Sequence, residues 1–204
     1  DTLLEWLSEG KEHWRPSVIN FTRNWLKEGL IDRAVTRDLE WGIEIPREGY
    51  ENKRMYVWFE AVMGYYSASI HWAKNQGKPD EWKKWWENEE SEHYYFMAKD
   101  NIPFHTIIWP AMLSGCNYKL PYDVPANEYL LLDSAQFSKS RRHAIWIPDY
   151  LDRYDPELLR FYLASIMPEQ KDANFTWEDY VTRINTELIG NYGNLMYRVM
   201  SFAN

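Results

Sequence analysis

The stretch His93–Ser114, HYYFMAKDNIPFHTIIWPAMLS, decides how the chain is read. Its first six residues, His93 to Ala98, read as a β-strand, and Pro103 to Ser114 reads as a helix entered through proline. The same alternation continues on both sides. Upstream, Met55 to Phe59 is a compact β-prone run, followed by a helix-compatible segment from Ala61 to Ala73. Gly77 and Pro79 mark a turn over Asn75–Asp80, and Glu81–Glu92 is predicted as a helix with one buried stripe of Trp82, Trp85 and Trp86. Downstream, Tyr129–Leu132 is a third strand. Strands alternating with helices indicate βαβ units and a parallel sheet, hence an α/β fold.

The flanks differ. Pro16 to Leu30 is predicted as an amphipathic helix with Val18, Phe21, Trp25 and Leu26 on one face and Gly29 near its end. Arg33–Pro46 is mixed and charged, a loop leading to a short extended segment. From Ile147 the pattern is helical only. Asp155 and Pro156 form an N-cap and first-turn pair before a stripe of Leu158, Leu159, Tyr162 and Ile166, and Pro168 ends that helix. Thr176 and Asp179 have capping-box-like spacing. A long helix to the C-terminus follows, with Val181, Ile184, Leu188, Leu195 and Val199 as core candidates.

At 204 residues the chain fits one to two domains and can bury a core. Its net charge of -8 argues against a generally basic nucleic-acid coat protein. A local basic patch still acts, because potential is set over roughly 10 Å at moderate salt. The single cysteine, Cys116, leaves no internal disulfide and no zinc site built on several thiolates. No long apolar run or signal-like N-terminus is present, so a soluble cytoplasmic protein with no membrane partner is expected. The 12 Trp and 15 Tyr are mostly packing residues, with a few left to line a pocket. A start at Asp1 and a stop at Asn204 inside a helical pattern read as a fragment of something longer.

One short segment carries chemistry. Phe137-Ser138-Lys139-Ser140-Arg141-Arg142 places two hydroxyls and three cations just after the third strand. Such a loop suits a triphosphate and the charge that builds on its oxygens. By itself it is equally an ordinary solvated turn.

Read together, several blocks resemble methionyl-tRNA synthetases of the archaeal type, in the class I synthetase superfamily. They are Trp25-Leu26-Lys27-Glu28-Gly29-Leu30 with Arg33 to Ile43; Tyr56-Val57-Trp58-Phe59-Glu60-Ala61 with Gly64-Tyr65; Lys99 to Pro110; and Phe137-Ser138-Lys139-Ser140-Arg141. Their order and spacing fit, and the Phe104–Pro110 block separates this family from its leucine, isoleucine and valine relatives. The resemblance implies the second half of a Rossmann-type nucleotide-binding fold followed by an α-helical region. It implies methionine–tRNA ligation with ATP and magnesium, acting on methionine and on initiator and elongator methionine tRNA.

It also implies roles. Lys139 matches the second lysine of the family's Lys-Met-Ser-Lys-Ser loop and is the expected catalytic cation. Ser138 and Ser140 would bind ATP beside it, and Asp100 would lie near the ribose or the methionine amine. Trp58, Ala61, Tyr65, Phe104, His105 and Trp109 match the methionine side-chain pocket. Aromatic walls suit a polarizable thioether, at about 0.3–1.5 kcal/mol per sulfur–aromatic contact. Asn194 and Arg198, four residues apart on the last helix, match anticodon-reading positions. The sequence departs from the family at Gln136 (for a lysine), at Ser134, Ala98 and Arg142 (for glycine), at Val62 (for proline) and at Gly190 (for asparagine).

The family's His-Ile-Gly-His element and its zinc-knuckle cysteines do not occur in these 204 residues. The resemblance therefore divides the chain into the end of a connective insertion (1–42), the second Rossmann half (43–132), the signature loop and linking helices (133–168) and the start of the anticodon-binding bundle (169–204). The remaining part of the same synthetase is an expected partner, and the fragment alone is predicted to be inactive. Two alternatives stay open: a non-catalytic synthetase-like module that binds tRNA or docks a partner, and a class I ligase for another amino acid. The Trp58, Tyr65, His105 and Trp109 set disfavours the latter.

Overall fold

The computed structural model describes residues 2–203, so Asp1 and Asn204, the ends of the first and last expected segments, lie outside the described residues. The chain forms two compact units, Asp1–Ala126 and Asn127–Asn204.

In the first unit the helix Pro16–Glu28 starts with proline at its first position and stops at Gly29, whose φ of 92° only glycine adopts without strain. It buries Val18 and Thr22, whereas Phe21, expected on the inner face, is exposed and packs edge-on against Trp25. Thr22 Oγ1 donates to Thr106 Oγ1 at 2.9 Å, and Thr106 in turn donates to the Ile102 carbonyl. This buried hydroxyl pair ties the helix to the stretch that follows the strand of the opening segment. Around it lies a core of Leu7, Trp14, Val18, Val62, Trp86, Tyr95, Ile102, Trp109, Leu113 and Val124.

Several elements are shorter than expected. Of the β-prone run only Met55 lies in a strand, Arg54–Met55, paired antiparallel with Thr36–Arg37, and Val57–Ala61 is helical. The partner strand is two residues long, so pairing ends where Tyr56 N–H reaches the Val35 carbonyl. Of Glu81–Glu92 only Lys83–Trp86 is helical. Asn88 stops it: its side chain accepts from Glu90 N–H at 3.0 Å and its carbonyl from Ser91 N–H, a local turn that competes with the helix. The His93–Ala98 strand makes a parallel bridge from Tyr94 to Asp123, and Met97 N–H donates to the Pro125 carbonyl. Its ladder is sparse because Pro121 and Pro125 flank that bridge and supply no N–H.

The predicted helix after Pro103 forms in two parts, a π-helical turn over Phe104–Ile108 and an α-helix over Trp109–Gly115. Pro110 explains the join. Its missing N–H and its ring exclude a normal bond to Thr106, and the turn widens so that Trp109 N–H reaches Phe104 instead.

The second unit holds a three-stranded sheet in the order Ala135–Gln136, Leu130–Leu132, Ala173–Phe175. The last two are parallel in the register Leu130↔Ala173, Leu131↔Asn174, Leu132↔Phe175, joined by a helical crossover that includes Pro156–Ser165. Asp155 caps that helix by accepting from Glu157 N–H, and Thr176 caps the next by accepting from Asp179 N–H at 3.1 Å. Leu132, Tyr150, Leu159, Tyr162, Phe175, Tyr180 and Ile184 form the core. The C-terminal helix runs as Trp177–Arg183, a π-helical Ile184–Gly193 and Asn194–Ala203. Of its expected core residues, Ile184 is buried and Leu188 packs beside it, while Val181, Leu195 and Val199 are exposed.

Candidate functional site

The first unit brings most of the expected pocket residues together. His105 sits on the π-helical turn and is buried. Its Nδ1 lies 3.0 Å from the Asn101 carbonyl and its Nε2 2.8 Å from the Tyr65 hydroxyl. A carbonyl can only accept, so Nδ1 carries the proton, Nε2 offers its lone pair, and Tyr65 donates to it. The imidazole is therefore a neutral, oriented acceptor, and the Tyr65 oxygen keeps only lone pairs for anything else.

Burial pushes the His105 pKa below its ordinary value of 6.5, outweighing the opposing bond to Asn101. The depressed value means that His105 adds stability above pH 6.5 that is lost as pH falls through its folded-state pKa. An NMR titration of the His105 ring is expected to give a midpoint below 6.5, and a midpoint at or above 6.5 would contradict this assignment of its protons.

Trp109, one turn beyond His105, is also buried, and its Nε1–H donates to the Tyr95 hydroxyl at 2.9 Å. Tyr95 meets Tyr65 edge-on at 5.2 Å and lies tilted against His105 at 5.7 Å. Trp58 stacks on Phe104 at 5.4 Å, and Ala61 follows one turn later on the same short helix. Asp100 is exposed in the turn before His105 and accepts from the Asn101 side chain at 3.2 Å. Tyr95 was missed as a site residue. Strand alternation was the available signal: Tyr94 and Phe96 are exposed, whereas Tyr95 between them is 7% exposed.

In the second unit the signature segment is built on two successive hairpins. The first turns at Asp133 and Ser134, with φ of 47° and 67°, the two positive values of a tight two-residue turn. Asn174 braces it by accepting from Ser134 N–H at 2.7 Å. In the second, Ser138 and His143 exchange both backbone hydrogen bonds, enclosing Lys139–Arg142, and Arg142 has φ 53°. The Ser138 hydroxyl accepts from Arg141 N–H and lies 3.3 Å from that of Ser140. His143 Nε2 donates to the Leu132 carbonyl at 2.8 Å, fixing the second hairpin to the first. Lys139 is exposed at the turn.

Ser134 and Arg142, two of the positions read as departures from glycine, thus stand in left-handed backbone. Such a residue costs roughly 1–2 kcal/mol there, against about 0.5–1 kcal/mol of extra chain entropy for glycine. Ser134→Gly and Arg142→Gly are each expected to stabilise this unit by about 0.5–1 kcal/mol, read from the denaturation midpoint. Glycine at Ala135, which lacks a positive φ, should destabilise.

Asn194 and Arg198 share one exposed face of the last helix, and Asn194 Nδ2 donates to the Gly190 carbonyl at 2.6 Å. Neither meets the signature-loop residues of its own unit through a described hydrogen bond.

The geometry can be set beside known proteins. The profile of the family described as tRNA synthetases class I (M) matches residues 1–200. A methionine–tRNA ligase of Dehalococcoides mccartyi is 56% identical over all of this chain, which spans 36% of that relative. The methionine–tRNA ligase of Thermomicrobium roseum is 55% identical, again over the whole chain and 35% of the relative. The chain therefore spans about a third of the length of the curated relatives it matches. Among solved structures, Mycobacterium tuberculosis methionyl-tRNA synthetase in complex with methionyl-adenylate superposes with a TM-score of 0.78 at 24% identity, over 98% of this chain and 38% of that one. The fold is shared, and with the profile match over nearly its whole length this chain belongs to the class I tRNA synthetase (M) family.

Proposed function

We propose that the protein containing this chain is a methionine–tRNA ligase. The observation that carries the reading is the Tyr65–His105 pair, oriented by Asn101 and joined to Trp109 through Tyr95, within the matched family. A neutral imidazole and rings of low charge suit an uncharged, polarizable side chain and disfavour charged ones.

In this reading the methionine carboxylate attacks the α-phosphorus of ATP, forming methionyl adenylate as the bond to pyrophosphate breaks. A hydroxyl at the tRNA 3′ end then attacks the activated carbonyl, and AMP leaves. Trp58, Ala61, Tyr65, Phe104, His105 and Trp109 hold the side chain, while Asp100 accepts from the amine or the ribose. Ser138, Lys139 and Ser140 donate to phosphate oxygens as charge develops. Magnesium would arrive on the ATP phosphates, as it commonly does at sites that bind nucleoside triphosphates. Asn194 and Arg198 would read anticodon bases of initiator and elongator methionine tRNA.

The same reading divides the chain at residues 42, 132 and 168, into the end of an insertion, the second Rossmann half, the loop region and the start of an anticodon-binding bundle. The rest of the synthetase would be its partner and the cytoplasm its compartment. No helix among the described residues is long and apolar enough to cross a membrane. The test is ATP–pyrophosphate exchange by the full-length protein with a panel of amino acids. Methionine is expected to drive exchange at least 100-fold better than leucine or isoleucine, at about 1.4 kcal/mol per factor of ten. Equal rates with all three would sink the proposal.

A further inference from the structure

We propose that Tyr95 is a positioning residue for the aromatic pocket, holding Trp109 and Tyr65 in the orientation that receives the amino-acid side chain. The proposal rests on the methionine-pocket reading above and deepens it. Tyr95 touches three of the six expected pocket residues. Its hydroxyl accepts from Trp109 Nε1–H at 2.9 Å, and its ring contacts those of Tyr65 and His105.

Each contact answers a need that the pocket residue cannot meet alone. Trp109 is 4% exposed, and a buried indole N–H without an acceptor is costly. Tyr95 supplies that acceptor, fixing which way the indole plane is turned. Tyr65 is 45% exposed; its hydroxyl donates to His105, and its ring meets those of His105 and Tyr95.

A second strap closes the arrangement from behind. Trp86 Nε1–H donates to Ser69 Oγ, and Ser69 Oγ donates to the Tyr65 carbonyl. Trp86 itself stands edge-on to Trp109 at 5.9 Å. Tyr65 and Trp109 are thus linked twice, through Tyr95 and through Trp86 and Ser69.

A phenylalanine at position 95 would fill the same space and keep both ring contacts. The hydroxyl is the one part that packing does not require, and its described bond is to Trp109. Burial pushes its ionisation up to about 12, so it remains a neutral hydroxyl at any working pH.

The experiment uses the full-length protein, methionine-dependent ATP–pyrophosphate exchange and Tyr95→Phe. The KM for methionine is expected to rise roughly tenfold, with kcat and the KM for ATP changing less than about twofold, the pattern of lost binding geometry at one substrate. In a Trp109→Phe background, where the donor is already gone, Tyr95→Phe should add less than about twofold. An unchanged KM for methionine, a parallel loss in both KM values, or additive effects in the double variant would each overturn the role. If Tyr95→Phe does not fold, hydrogen exchange of the Trp109 indole in the unsubstituted protein decides. It should be at least about 100-fold slower than that of Trp41, which is 90% exposed, and comparable rates would refute the bond. A full-length protein that activates other amino acids but not methionine would overturn the pocket reading and this role with it. Methionine activation with an unaltered Tyr95→Phe variant would overturn the role alone.

Discussion

Lys139→Ala in the full-length protein is expected to slow adenylate formation by about 100- to 1000-fold, the cost of removing one fixed donor from developing transition-state charge. The chemistry gives the protein little covalent work. Attack at the α-phosphorus of ATP would spread charge over its oxygens and the departing pyrophosphate, and what the chain can add is position and cations. Lys139 opens a four-residue turn clamped at its base by the reciprocal Ser138–His143 bonds and fixed to the neighbouring strand through His143. Its ammonium is therefore exposed on an anchored base. Gln136, two residues earlier than Ser138 and read as replacing a lysine, would leave Lys139 more of the charge to balance. The loss should fall on the rate of a single turnover with ATP and methionine saturating, and Lys139→Arg should recover only part of it, because the ammonium is a compact point charge. A rate within about twofold of the unsubstituted protein would sink the catalytic role of Lys139.

Local signals carried best from sequence to structure. The caps at Asp155 and Thr176 depend on residues two or three positions apart, and both form as expected. Alternation of strands and helices gave the α/β class, because it reports on burial averaged over a whole element. Elements ended early where a distant or competing partner decided. Pro121 and Pro125 thin the ladder of the His93–Ala98 strand from another segment, and Asn88 closes a turn inside an apparently helical run. The left-handed positions were hidden for another reason. Glycine is the signal for positive φ, and Ser134 and Arg142 occupy such positions without it. Within the pocket, the family resemblance pointed to Tyr65, His105 and Trp109, but residue types alone could not supply the proton order set by the Asn101 carbonyl. Nor could they single out Tyr95 from the Tyr94, Tyr95, Phe96 run. Those depend on which face of the strand turns inward.

Phe175→Ala is expected to destabilise the second unit by about 3–5 kcal/mol, the range for deleting a buried aromatic ring. Phe175 is 1% exposed and ends the strand that runs parallel to Leu130–Leu132. Its ring meets Tyr162 edge-on at 5.2 Å and Trp177 at 5.3 Å, and stacks on Tyr180 at 6.0 Å. Three rigid rings cannot collapse into the space that alanine leaves, so a cavity penalty adds to the lost burial. Phe175→Leu keeps most of the volume and should cost about 1.5 kcal/mol or less. The effect should reach the signature loop by a specific route. The Phe175 carbonyl accepts from Asp133 N–H, and its neighbour Asn174 accepts from Ser134 N–H, so this strand braces the first hairpin on which the Lys139 turn is built. Amide hydrogen exchange should therefore accelerate by about 100- to several-thousand-fold at Asp133 and Ser134, in step with the global loss at about 1.4 kcal/mol per tenfold change. The Ser138 and His143 amides should follow them. A variant less than 1 kcal/mol weaker would show that Phe175 does not organise this core. Full destabilisation with the loop amides still protected would show instead that the hairpins stand without the strand.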